Sequence, residues 1–172
     1  TVRGVYFGNI TDGCTMDLRK SRGTEASPLP VNSGDRLGRV SFRGNADTTA
    51  GGTFSNSAYM QCIAEETFSP TARGSRLEFR TTTAGTTSLV ERMRIQTGSI
   101  VLNETGADYD FRVEGDTDQN LINVDASNDA VGIGISGAVT EKLEVNGNVL
   151  VANHAVITQT LRARDGVGSA QH

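Results

Sequence analysis

Residues 76–97 read RLEFRTTTAGTTSLVERMRIQT, and the fold class turns on how this stretch alternates. Leu77, Phe79 and Thr81 alternate with Glu78, Arg80 and Thr82, a period of two that sends successive side chains to opposite faces of a strand. Beyond a Thr/Gly-rich turn at Gly85, Leu89, Glu91, Met93 and Ile95 share one side, and Val90, Arg92, Arg94 and Gln96 share the other. The pattern predicts a hairpin with one dry face. Its register would be helped by Arg80, Arg92 and Arg94 pairing with Glu78 and Glu91 across the strands. A lone hairpin is marginal in water, so this one needs something to pack against.

The same signature recurs on both sides of it. LGRVSFRG from Leu37 and YMQCIAEE from Tyr59 precede the hairpin; SIVLN, YDFRVEG, QNLINVD, DAVGIGI, KLEVNG, NVLVANHAVIT and TLRARDG follow it, most of them bounded by Gly, Asn or Asp. The nearest thing to a helix is SGAVTEKLEV, where Thr140 and Glu141 would open at most one turn. NADTTAGGTFSNS, residues 45–57, reads as loop by composition, and TEASPLPVNSGD reads as an extended surface loop because Pro28 and Pro30 bar it from the middle of a sheet. The expected fold is all-β, built from short antiparallel strands. VEG at 113–115, VDA at 124–126 and VNG at 145–147 hint at a loose repeat of strand plus tight turn.

Composition says how such strands find a core. Of 172 residues, 36% are hydrophobic and none is Trp, while 20 are Gly, so each strand brings few large side chains to any interior. Sharing the core with other copies of the chain is the natural remedy; a thin β-sandwich also fits. In DAVGIGI, Val131, Ile133 and Ile135 share one side and Gly132 and Gly134 the other, a glycine face that lets another backbone come close, as intertwined strands would require. QNLINVD places Leu121 and Asn123 on one side and Ile122 and Val124 on the other, so neither side is freely solvated, and KLEVNGNVLVANHAVIT has the same two-sided apolar character around Val149, Leu150 and Val151. The net charge of −4 argues against non-specific nucleic-acid binding, and no apolar run is long enough to span a membrane. The chain opens on Thr1, which we read as the start of a segment of a longer protein.

Sequences that resemble chemical motifs fail on their context. GIGISG, residues 132–137, has the letters of a dinucleotide-binding turn but is followed by strand-like alternation rather than a helix. Asp116, Asp118 and Asn120 occupy the first ligand positions of a calcium loop, yet Leu121 stands where Gly is needed and Ser127 where Glu is needed. Glu65 or Glu66 with Glu78 can be drawn as a glycan-cutting carboxylate pair, but aromatics at 5% furnish such a groove poorly. Cys62 suits a small buried hydrophobe, Cys14 has no CxxC partner, and His154 and His172 stand without a nucleophile signature. No catalytic, cofactor-binding or metal residue is assigned.

RLEFRTT, then SLVERMRI, DAVGIGI and EKLEVNG, in that order, resembles the repeat of tail-fibre and tail-spike-like proteins of bacteriophages and related large viruses, over roughly residues 35–150. GRVSFRGNADT and YMQCIAEE stand where that family carries two strands ahead of LEFRTT, whereas residues 99–128 interrupt its usual run from ERMRI to the VGIG strand. The resemblance implies an elongated, intertwined homotrimer in a virion appendage, non-enzymatic, with host attachment as its task. It further implies other tail or baseplate proteins and a host surface glycan or protein as partners, with no nucleic acid and no membrane insertion. On this reading residues 1–34 are an extension or linker to a preceding fibre segment, 35–103 a β domain, 104–160 a strand-turn shaft and 161–172 a polar tail. Leu143, Val145, Val149 and Val151 would form the trimer core, and the long polar loops 44–57 and 81–88, with the basic turn around Arg19 and Lys20, would be receptor-binding candidates. Two other classes fit the repeat: a tailspike-type polysaccharide depolymerase, and a fibre or adhesin of a bacterial surface or contractile injection apparatus.

Overall fold

A computed structural model of the chain describes residues 15–149, and Cys14, Val151, His154 and His172 lie outside them. The described residues form strands and turns with no helix, in two compact units that divide between Tyr109 and Asp110. The fold is all-β.

The first unit begins with a two-residue pair, β1 (Arg22–Gly23) against β2 (Pro28–Leu29), so the proline stretch is partly paired rather than wholly loop. Pro28 is tolerated because this ribbon is isolated from the main sheet. That sheet is a five-stranded antiparallel meander of β3 (Arg36–Asn45), β4 (Phe54–Ala64), β5 (Ser75–Thr82), β6 (Leu89–Gln96) and β7 (Ser99–Leu102). The stretch expected to be loop at 45–57 is partly strand, with Asn45 paired to Phe54 and Arg43 to Asn56.

The sequence expectation for the hairpin fails at one residue. Register shifts between Phe79 and Arg80, so that Phe79 pairs with Met93 but Arg80 pairs with Glu91, leaving Arg92 as the bulged residue. Glu91 therefore leaves the side of Met93 and Ile95 and joins Glu78, Arg80 and Arg94. A bulge is the standard way to change which face a strand presents partway along it. The two faces of the sheet are thereby separated by chemistry. One carries two apolar rows across all five strands, Gly38–Cys62–Leu77–Ile95–Ile100 and Val40–Met60–Phe79–Met93–Leu102; the other carries Arg39, Gln61, Glu78, Arg80, Glu91 and Arg94.

The second unit holds a sheet in the order β11–β10–β9–β8, formed by β8 (Phe111–Val113), β9 (Ile122–Asp125), β10 (Ala130–Ile133) and β11 (Leu143–Val145). β8, β9 and β11 end at the VEG, VDA and VNG turns noted in the sequence. The antiparallel pairing expected from the sequence holds for the other strand pairs of the described residues, and β10 and β11 alone among them pair in parallel. To return parallel, the chain must cross back over the sheet, and residues 134–142 do so with Val139 completely buried. A Cβ placed on Gly132 would stand 2.9 Å from Val139 Cγ2. The close approach that the glycine signalled is thus made by this chain's own crossover. Gly134 lies past the end of β10 with φ +66°, where its freedom serves a turn.

Candidate functional site

Three surfaces of the first unit differ from an ordinary strand surface. On the charged face, Glu78 and Glu91 are 1% and 2% exposed although no strand among the described residues covers them; arginines lie against them instead. Glu78 Oε1 accepts from Arg76 Nε at 2.6 Å, and Oε2 accepts from Gln61 Nε2 at 2.8 Å and Arg80 Nε at 3.2 Å. Arg80 Nη2 bridges on to Glu91 Oε2 at 2.8 Å, and Arg94 Nη1 to Glu104 Oε1 at 3.1 Å. Arg94 Nε and Glu91 Oε1 are 2.8 Å apart but out of line for a hydrogen bond. Gln61 Oε1 takes Arg39 Nη2 at 2.6 Å, and the Arg39 guanidinium lies 3.9 Å from the Tyr59 ring centroid. Burial pushes the Glu78 carboxyl up, yet the hydrogen bonds of Gln61 and Arg76 with the charges of Arg80 and Arg76 outweigh it, and its pKa falls below the ordinary value. The Glu91 carboxylate 2.8 Å away holds the Arg94 guanidinium above its usual range.

The apolar face is the more open one. Phe42 is 63% exposed, Ile100 66%, and Met60, Ile95 and Leu102 are exposed as well. Leu18 lies against Gly38, where a Cβ would meet its side chain at 2.8 Å. Cys62 is half-buried on this face.

At the β3–β4 tip, the two polar loops singled out in the sequence meet. They enclose a groove of about 530 Å³ lined by Arg43, Phe54, Asn56, Ser57, Thr82 and Thr86 among others. Both walls are fixed by local bonds. In one, Ala46 N donates to Thr53 O at 2.8 Å, Gly52 N donates to Thr49 O at 2.8 Å and Thr49 N donates to Asp47 Oδ1 at 3.0 Å. In the other, Thr86 donates to Thr83 O through both its N and its Oγ1, and Gly85 turns the chain at φ +79°. Arg43 Nε donates to Asn56 Oδ1 at 2.8 Å across the strands. The Thr82 hydroxyl is buried with no hydrogen-bond partner, and the Phe54 ring is 61% exposed.

The other sequence candidates are scattered. Leu143 and Val149 are exposed, Val145 is half-buried and Val151 lies outside the described residues. In the interrupted stretch Leu121, Ile122 and Val124 are exposed. Arg19 pairs with Asp17, and Arg22 makes a two-pronged pair with Asp35, so two of the basic side chains in that turn are already engaged. Both Glu78 oxygens are engaged as described, and Glu66 accepts from Gly74 N. Asp118 caps a turn by accepting from Asn120 N at 2.8 Å, and no His, Cys, Asp or Glu cluster of metal-holding kind occurs among the described residues.

Sequence reading missed Phe54, which lay in a stretch taken for loop. The signal was present: Phe54, Asn56, Ala58 and Met60 continue the alternation of YMQCIAEE upstream. No protein-family model matches the chain, and no curated protein matches it.

Proposed function

We propose that the chain is a segment of a homotrimeric virion tail fibre that attaches the particle to a host cell surface and carries no turnover chemistry. The observation that supports it is the open apolar face of the five-stranded sheet, with Val40, Met60, Phe79, Met93 and Leu102 in one row and Cys62, Leu77, Ile95 and Ile100 beside it. A soluble chain working alone seldom leaves a continuous apolar surface of this kind in water. Copies of the same chain closing those rows against one another would add to the core to which a composition of 36% hydrophobic residues and no Trp brings few large side chains within one copy. The ordered tip loops would then remain at the surface for contact with a host.

The test has two readings on one preparation. Light scattering should give a mass near three times 18.2 kDa, and the labelled protein should sediment with cells of a host and not with unrelated cells. A monomer that sediments with no cell would overturn the proposal.

A further inference from the structure

We propose that the groove at the β3–β4 tip is a binding site for a pyranose glycan, stacked on Phe54 and hydrogen-bonded by Thr82, Ser57 and Asn56. This rests on the attachment reading for its biological setting, but its chemistry is argued from the groove alone.

At about 530 Å³ the groove falls within the size of small-ligand sites and holds one or two sugar rings. Apart from Arg43, which only donates and whose Nε is engaged by Asn56, its polar lining is built from groups that both donate and accept. Ser57 and Thr86 offer hydroxyls, and the Asn56 amide is held in place by the Arg43 Nε bond at 2.8 Å. Sugar hydroxyls also donate and accept, so such a lining satisfies them in either sense, whereas an anion would call for donors only and a cation for acceptors only. An exposed aromatic ring gives a sugar's C–H face a flat apolar surface to lie on, and Phe54, 61% exposed beside these hydroxyls, is placed for it.

The second observation is Thr82. Its hydroxyl is buried without a partner although Thr82 lines the groove. Buried hydroxyls are nearly always paired, and an orphan adjoining a cavity is most simply completed by what occupies the cavity. One χ1 rotation would present it to a ligand hydroxyl. The walls need no folding on binding, since both loops are closed by their own backbone bonds, so little ordering entropy opposes the ligand.

The probe is an array of immobilised oligosaccharides of neutral and uronic-acid pyranoses, read with the full chain and with Phe54→Ala and Thr82→Val. Wild type should bind a subset of the sugars, with affinity reduced about fivefold or more in Phe54→Ala and about threefold or more in Thr82→Val. Thr82→Val keeps the side chain's shape in a strand, so its solution mass and melting temperature should stay at or above those of wild type; a loss of sugar binding there cannot be a loss of fold. Wild type binding no sugar, or both variants binding like wild type, overturns the proposal. Cell sedimentation with the same three proteins separates this from the attachment reading. Cells bound without any sugar binding would remove the glycan site and leave attachment standing; sugars bound without any cell binding would do the reverse.

Discussion

Asp125 holds the end of β9 through one carboxylate. Its Oδ1 accepts from Ser127 Oγ at 2.7 Å and Asn128 N at 3.0 Å, and its Oδ2 from Asn128 Nδ2 at 2.9 Å and Val139 N at 3.3 Å. These bonds favour the charged form, the Asn128 and Ser127 side chains most, and bring its pKa from 3.8 down to about 2. A carboxyl whose folded pKa is depressed stabilises the fold above its unfolded value and stops doing so as pH falls through the folded one, so this contribution is whole above about pH 4 and gone below about pH 2. The amide signals of Asn128 and Val139 should therefore titrate together with a midpoint near 2; a midpoint at the ordinary value of 3.8 would show that the carboxylate does not hold the turn. None of this is legible in DASND, residues 125–129. A carboxylate's partners come from residues such as Val139 that the sequence cannot place beside it. Glu91 was misread for a related reason: period-two counting assumes an unbroken ladder, and one bulged residue, Arg92, transfers everything beyond it to the other face.

At the scale of elements, the crossover between β10 and β11 is where prediction and fold part most instructively. KLEVNG alternates in the same way whether its neighbour runs parallel or antiparallel, so direction of pairing left no trace in the pattern. Gly132 did leave one, since the absence of a side chain announced a close approach, although not by what. Val139 fills that space with no exposed surface. Gly132→Ala should then cost about 1–3 kcal/mol of stability through overpacking, and Val139→Ala in the same chain should recover part of that loss by vacating the space. Urea denaturation of the two single variants and the pair measures the coupling. Strictly additive losses would mean that something other than Val139 occupies the site above Gly132.

For the whole molecule, the decisive contrast is between the two faces of the five-stranded sheet. The charged face closes itself, because Arg76, Arg80 and Arg94 pair with the buried Glu78 and Glu91 within one chain. Aliphatic and aromatic side chains have no such recourse, and among the described residues no strand covers the rows through Met60 and Phe79. Each such side chain withdrawn from water is worth about 1.5–3 kcal/mol, so a few per copy suffice to hold an assembly. Met60 sits mid-row between Val40 and Phe79, itself exposed in the single chain. Met60→Asp should leave the strand signal of the isolated chain in place, since an aspartate there stays in water, while bringing the solution mass down to that of one 18.2 kDa chain. Arg43→Gln, a change of similar size on the same β3–β4 pair but away from both rows, should keep the assembled mass. An unchanged assembly after Met60→Asp would mean that the rows face water in the mature protein, and that some other part of the chain holds the copies together.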